Sequence, residues 1–300
     1  MHRRRLNLFL LCVLVGGATA SAKDAQSALK EFEGKVLVLR HPLQGSSQEY
    51  DAEGKVLKGG DEGPWTVYGG VLIDKVDLSP DKLRFEGRRI LFLFLKGKFT
   101  AMEFKRLKRP VDPPFPPSVQ LEIALDRPLD SASAEEAQAV LGRVFALNTK
   151  SLLDSLPEFW RGPLDDELIY DPLQKREAEF RMEPPSRGIP KPAHKVRPNV
   201  ITADQVFHVG AEVTAPKATF TPEPKFTDIA RYEKFQGVLL VDLIVGTDGA
   251  AHRIRLVRPL GLGLDESARS MIQTWRFEPA TKNGQPVAVE MNVEVAFNLY

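Results

Sequence analysis

The sequence predicts an α+β protein with a β-rich front region and a small β-β-α-β module at its carboxyl end. Three features lead there. Short apolar runs near a period of two recur through residues 34–126, with glycine and proline between them. A stretch over residues 183–200 holds Pro184, Pro185, Pro190, Pro192 and Pro198 and too few apolar side chains to fold. Beyond it come a strand pair, one amphipathic helix and one long alternating strand. At 300 residues, 43% hydrophobic and 27% charged, the chain has room for two ordinary domains and the composition of a folded protein.

Composition also excludes function classes. Lys and Arg number 41 against 40 Asp and Glu, so the basic excess of a nucleic-acid binder is missing. Cys12 is the single cysteine, which rules out an intrachain disulfide and a cysteine-built zinc or iron–sulfur site.

The first residues have the order of an export signal. Met1–Arg5 is basic, Leu6–Ala18 is apolar apart from Asn7, and Ala20-Ser21-Ala22 offers small residues at alternate positions. The apolar stretch falls short of the roughly 20 residues that cross a bilayer as a helix. Cleavage after Ala22 is expected; it removes Arg3, Arg4 and Arg5, lowering the formal net charge of +1 by three, and takes Cys12 with them. The alternative is an uncleaved anchor in the inner membrane with the rest facing the periplasm. Leu10 and Leu11 stand where a lipoprotein needs small residues before its cysteine. The expected organisation is 1–22 signal peptide or short anchor, 23–170 β-rich domain, 171–205 proline-rich linker, and 206–300 C-terminal module.

Within the front region, Val36–Leu39 is a short apolar strand. Val71 and Ile73, then Val76 and Leu78, slip phase, which predicts a bulge. Leu83 and Phe85 alternate with Arg84 and Glu86, and Ile90–Leu95 reads as a buried strand. Val119, Leu121, Ile123 and Leu125 alternate as well. Ser133 and Glu136 have capping-box spacing ahead of a helix whose apolar face is Ala137, Val140, Leu141 and Val144. Leu152–Leu156 predicts a last short helix stopped by Pro157.

In the C-terminal module, Leu239, Val241, Leu243 and Val245 share a strand face, and Thr247-Asp248-Gly249 is a hairpin turn signal. Ile254 and Leu256 mark the returning strand. Asp265 is the expected N-cap of a helix with Leu264, Ala268, Met271, Ile272 and Trp275 in one stripe, stopped by Pro279. Asn283-Gly284 signals a second turn. The final strand runs Val287, Val289, Met291, Val293, Val295, Phe297 against Ala288, Glu290, Asn292, Glu294, Ala296, Asn298. With three long strands in the sheet, at least one is an edge, and an edge can accept a partner's strand. Competing occupants of that edge are a neighbouring strand, a second copy of the chain, or Ala211–Phe220 folding back.

Gln236-Gly237-Val238, Thr247-Asp248-Gly249, LGLGLDESA from Leu260, WRFEPA from Trp275 and NGQPV from Asn283 together resemble the TonB C-terminal domain over about residues 211–300. The resemblance implies a TonB-like β-β-α-β fold and a periplasmic contact module for outer-membrane transporters or other envelope proteins. It implies that a transporter segment pairs with the last strand, here Val287–Asn298, bringing Glu290, Asn292 and Glu294 into contact. It places Glu223, Pro224 and Lys225 at the same segment. The sequence departs from the family's force transducers in its short first apolar stretch and its linker of about 18 residues.

No enzyme motif is found. Gly261 and Gly263 open a G-x-G whose sixth position is Glu266, and neither H-E-x-x-H nor G-x-S-x-G occurs. His41, His194, His208 and His252 are scattered, Asp165-Asp166-Glu167 reads as a solvated loop, Trp275 as core and Arg276 as a structural ion pair. The leading expectation is a non-enzymatic periplasmic protein without cofactor, metal or nucleic acid that binds a partner by strand addition. One alternative is a secreted enzyme or small-molecule carrier whose site is in the β-rich domain, motivated by His41, Tyr50 and Asp51. Another is a structural role, with the module pairing to itself as a homodimer or to the cell wall.

Overall fold

The computed structural model describes residues 25–95, 98–103, 115–129, 134–160, 180–181 and 206–299. The expected export signal, Ser133, the Asp165-Asp166-Glu167 cluster and the prolines of 183–200 lie outside them.

The front region begins with α1 (Ala25–Lys30), β1 (Val36–Leu39), β2 (Ser47–Tyr50), β3 (Val56–Lys58), α2 (Trp65–Tyr68), β4 (Gly70–Leu78) and β5 (Lys82–Leu95). It continues with β6 (Lys98–Glu103), β7 (Ser118–Ala124), α3 (Ala134–Val144), β8 (Phe145–Ala146), α4 (Thr149–Ser155) and β9 (Phe180–Arg181). The strands make one sheet in the order β3-β2-β7-β5-β4-β1-β8, with β6 also on β5 and β9 on β6. The long β5 serves two partners on one flank: Lys82–Arg88 pairs with β7, and Ile90–Leu95 with β6. The expected bulge is present, as a register shift between Ile73 and Lys75 against β5.

Alternation decides which face is covered. Val119, Leu121 and Ile123 are buried in β7, and Ser118, Gln120 and Ala124 are exposed. Against this inner face lie α1 and α3, contributing Ala25, Leu29, Ala137, Val140, Leu141 and Val144 to a core shared with Val71, Ile73, Leu83 and Phe85. Each large aliphatic side chain buried here contributes on the order of 1.5–3 kcal/mol. Helix α4 starts at a reciprocal cap: Asn148 accepts from the Ser151 amide, and Ser151 Oγ accepts from the Asn148 amide.

The C-terminal module contains β10 (Val206–His208), β11 (Lys217–Phe220), α5 (Asp228–Tyr232), β12 (Gly237–Val245), β13 (Ala251–Arg258), α6 (Leu264–Ile272), β14 (Arg276–Glu278), β15 (Ala280–Lys282) and β16 (Gln285–Phe297). Its main sheet has the order β10-β16-β12-β13, and β11 and β14 form a separate two-stranded ribbon. Both expected turns form. Gly249 takes φ +73° between β12 and β13, and Asn283-Gly284 takes φ +51° and +78° between β15 and β16.

Two expectations about α6 are corrected. The N-cap is Gly263, left-handed at φ +74°. Asp265 is buried inside the first turn, and its carboxylate reaches back to the amides of Leu260 and Gly261 at 2.8 and 2.6 Å. The tight turn turns those two amides inward, where a carboxylate satisfies them better than it would the helix's own. The helix ends at Ile272, ahead of Pro279, and Trp275 follows it as a buried residue of the succeeding turn.

The two regions share a core. Phe92 and Leu93 of β5, Trp65, Trp160 and Phe159 lie in one apolar cluster with Leu260, Leu262, Ala268 and Ile272. Backbone bonds join them: the Phe94 amide donates to the Leu260 carbonyl at 2.8 Å and the Leu262 amide to the Phe92 carbonyl at 3.2 Å. The Gly263 amide donates to the Thr66 hydroxyl at 3.0 Å, and both residues are buried. Among the described residues, no helix is long and apolar enough to cross a membrane.

Candidate functional site

The two flanks of β16 differ. One pairs with β12 in unbroken antiparallel register from Val289↔Val245 to Phe297↔Gly237. On the other, β10 pairs in parallel with Ala288, Val289 and Glu290. Because β10 and β12 share Val289 and Glu290 as partners, they lie on opposite sides of the strand. From Met291 to Phe297, β12 is the only strand partner among the described residues. The second flank is therefore open over this length. Ala211–Phe220 does not close it: Lys217–Phe220 pairs with β14, and it is Val206–His208 that covers part of the edge.

A groove of about 390 Å³ runs beside the open stretch. Met291, Val293 and Val295 form one wall, and Trp275 and Phe277 line the groove with them. The facing wall carries Pro216, Pro222, Glu223 and Pro224. Proline has no amide hydrogen, so this wall is a poor partner for a sheet ladder. The unpaired ladder beside the groove is that of β16. Three contacts hold the wall: Trp275 Nε1 donates to the Pro222 carbonyl at 3.1 Å, Ser267 Oγ to the Lys225 carbonyl at 2.5 Å, and Thr219 Oγ1 to the Arg276 carbonyl at 3.0 Å. Phe226 packs edge-on against Phe297, centroids 5.3 Å apart.

Of the residues expected at a partner, Glu223, Pro224 and Glu294 border the groove. Lys225 is exposed and meets α6 through its carbonyl. Asn292 is exposed and opposite Asp242 in β12. Glu290 sits under β10, half-buried and ion-paired with Arg253. That pair belongs to a small charged cluster with Asp242, whose carboxyl is pushed up by burial against the pull of Arg253 and Arg255. Trp275 was expected only as core. It is 7% exposed, yet it also lines the groove, and sequence gives no signal for that second role because it depends on Pro222 lying across it. Arg276, expected in an ion pair, donates instead to the carbonyls of Gln273 and Trp275.

In the front region His41, Tyr50 and Asp51 each have different hydrogen-bond partners. His41 pairs with Glu62 at the surface, Tyr50 is buried and donates to Gln48 Oε1 at 2.8 Å, and Asp51 caps its own turn at the amides of Glu53 and Lys55. Arg89 is buried nearby, its guanidinium donating to the carbonyls of Leu43, Gly45 and Tyr68; burial lowers its pKa to about 10, so it stays charged at neutral pH. Among the described residues, no group of three His, Cys, Asp or Glu could hold a metal ion.

Residues 222–299 match the family model described as Gram-negative bacterial TonB protein C-terminal. This part of the chain is a TonB C-terminal domain. The solution structure of the Pseudomonas aeruginosa TonB C-terminal domain is similar to 30% of this chain at 17% identity, over 92% of its own length, with a TM-score of 0.23. No curated protein matches the chain. The TonB C-terminal domain thus contains β12, β13, α6 and β16, together with Trp275 and most of the proline wall.

Proposed function

We propose that this chain is a non-enzymatic protein of the cell envelope whose TonB C-terminal domain binds an extended segment of a partner by β-strand addition. The guest lies in the groove, pairs with β16 from Met291 onward and sets alternate side chains on Trp275 and Phe277. The observation that carries the reading is the open flank of β16 beside that groove. The family match supports an envelope setting and an outer-membrane transporter as the partner. The sequence order of residues 1–22 supports export to the periplasm, with a mature chain starting at Lys23.

The test is photocrosslinking in cells from a reporter at Glu294, beside the groove, against one at Val257 in β13. A guest strand gives an adduct from position 294 that maps to a short extended segment of an outer-membrane protein, and none from 257. Equal labelling from both positions, or adducts to a folded surface only, would sink the reading.

A further inference from the structure

We propose that Glu266 makes the joint between the front sheet and the C-terminal domain a proton-controlled contact, closed while the Glu266 carboxyl is protonated and loosened when it ionises. Trp160 lies edge-on to Trp65, ring centroids 5.1 Å apart, in the apolar cluster that seals the joint. Glu266, in the first turn of α6, accepts the Trp160 indole N–H on Oε1 at 2.9 Å. Its Oε2 is shut off from solvent and has no hydrogen-bond partner. An ionised Glu266 therefore holds one carboxylate oxygen out of water with no hydrogen-bond donor on it, offset only in part by the Arg269 charge.

Two charged groups lie around it, Asp265 and Arg269. Asp265, the preceding residue, is fully buried and holds the Leu260 and Gly261 amides. Arg269, one turn further along, has its guanidinium 5.7 Å over the Phe159 ring. Among the described residues of the facing elements, Trp160, Phe159 and Trp65 bring no charge to the carboxyl. Burial raises the pKa of both carboxyls; the Glu266 charge raises Asp265 further, while the Trp160 N–H and the Arg269 guanidinium pull Glu266 part of the way back. Asp265 has two amide donors for its oxygens, while the second oxygen of Glu266 has none, so ionising Glu266 puts an unsatisfied oxygen into the joint.

The direction with pH follows. When the joint opens, Glu266 meets water and returns toward its ordinary value of 4.5. The closed joint holds the proton more tightly, so closure is fully favoured below that ordinary value. It weakens as pH rises through the raised value of the closed state. The same helix reaches the groove, through Ser267 on the Lys225 carbonyl and, just past its end, Trp275 on the Pro222 carbonyl. The inference does not need the strand-addition reading, since the joint exists without a guest.

The test is amide hydrogen exchange on the full chain between pH 5 and 8, corrected for intrinsic exchange, at Phe94 and Leu262, with the centre of β12 as internal reference. The wild type is expected to lose protection at both joint amides, up to about tenfold per pH unit between the ordinary and the raised value. Glu266→Gln keeps an oxygen for the indole and cannot ionise; its joint amides are expected to stay level. A Gln variant as pH-dependent as the wild type, or a wild type with no pH dependence, overturns the proposal. Trp160→Phe gives an independent readout. It removes the donor that steadies the ionised carboxyl, so the loss of protection is expected to move to higher pH, and an unmoved midpoint also overturns it.

Discussion

Gly261 and Gly284 are both left-handed, at φ +92° and +78°, but their surroundings differ. A Cβ on Gly261 would lie 2.3 Å from the Phe92 carbonyl oxygen and 2.8 Å from the Leu93 Cα, whereas one on Gly284 would meet nothing within 4 Å. Gly284→Ala is therefore expected to cost only the backbone strain, about 1 kcal/mol. Gly261→Ala adds a clash with backbone that cannot swing aside, and is expected to cost about 3 kcal/mol or more. Urea unfolding of the two variants against wild type measures the difference, and equal losses would contradict the packed joint. The glycines of the G-x-G were legible as turn-formers. That Gly261 also lies against a strand distant in sequence was not, because such a contact leaves no local pattern. Asp265 shows the same limit: helix-start chemistry was visible in its type, but its actual partners follow from the turn that brings Leu260 and Gly261 back over it.

At the scale of elements, the long strands were readable because one buried face imposes a period of two. The short ones were not. Strand β10 spans only Val206–His208, and β11 is exposed throughout, so neither carries a periodic signal. Yet β10 decides how much of β16 is open, and hence which expected residues lie along the open stretch. Glu290 falls under β10, while Glu294 falls beyond it. The groove's apolar lining was hidden for a related reason: a side chain that serves both core and groove looks like core. Helix α4 offers a measurable case of local chemistry. Asn148→Ala removes the acceptor for the Ser151 amide and is expected to cost about 1 kcal/mol. Thermal unfolding followed by circular dichroism measures the loss. A variant as stable as wild type would mean that packing of Leu152 alone holds the helix.

For the whole molecule, the sequence divided the chain at its prolines, and the structure joins the two sides through one core. Leu262 belongs to the TonB C-terminal domain yet is fully buried in the cluster that holds Trp65, Phe92 and Trp160. The separation between Phe92 and Leu262 in sequence is why no window of residues could show it. Opening this joint exposes apolar rings to water and gives up the bonds of the Phe94, Leu262 and Gly263 amides. The two sides should then unfold as one unit. Scanning calorimetry of the full chain is expected to give a single transition whose calorimetric and van't Hoff enthalpies agree. Leu262→Ala empties part of the shared core and is expected to cost about 2–5 kcal/mol. Its effect should reach β7 in the front sheet and β12 in the TonB C-terminal domain together, as read by amide exchange. Two separated transitions in the wild type, or a Leu262→Ala loss confined to β12, would show instead that the halves are held side by side without sharing their stability.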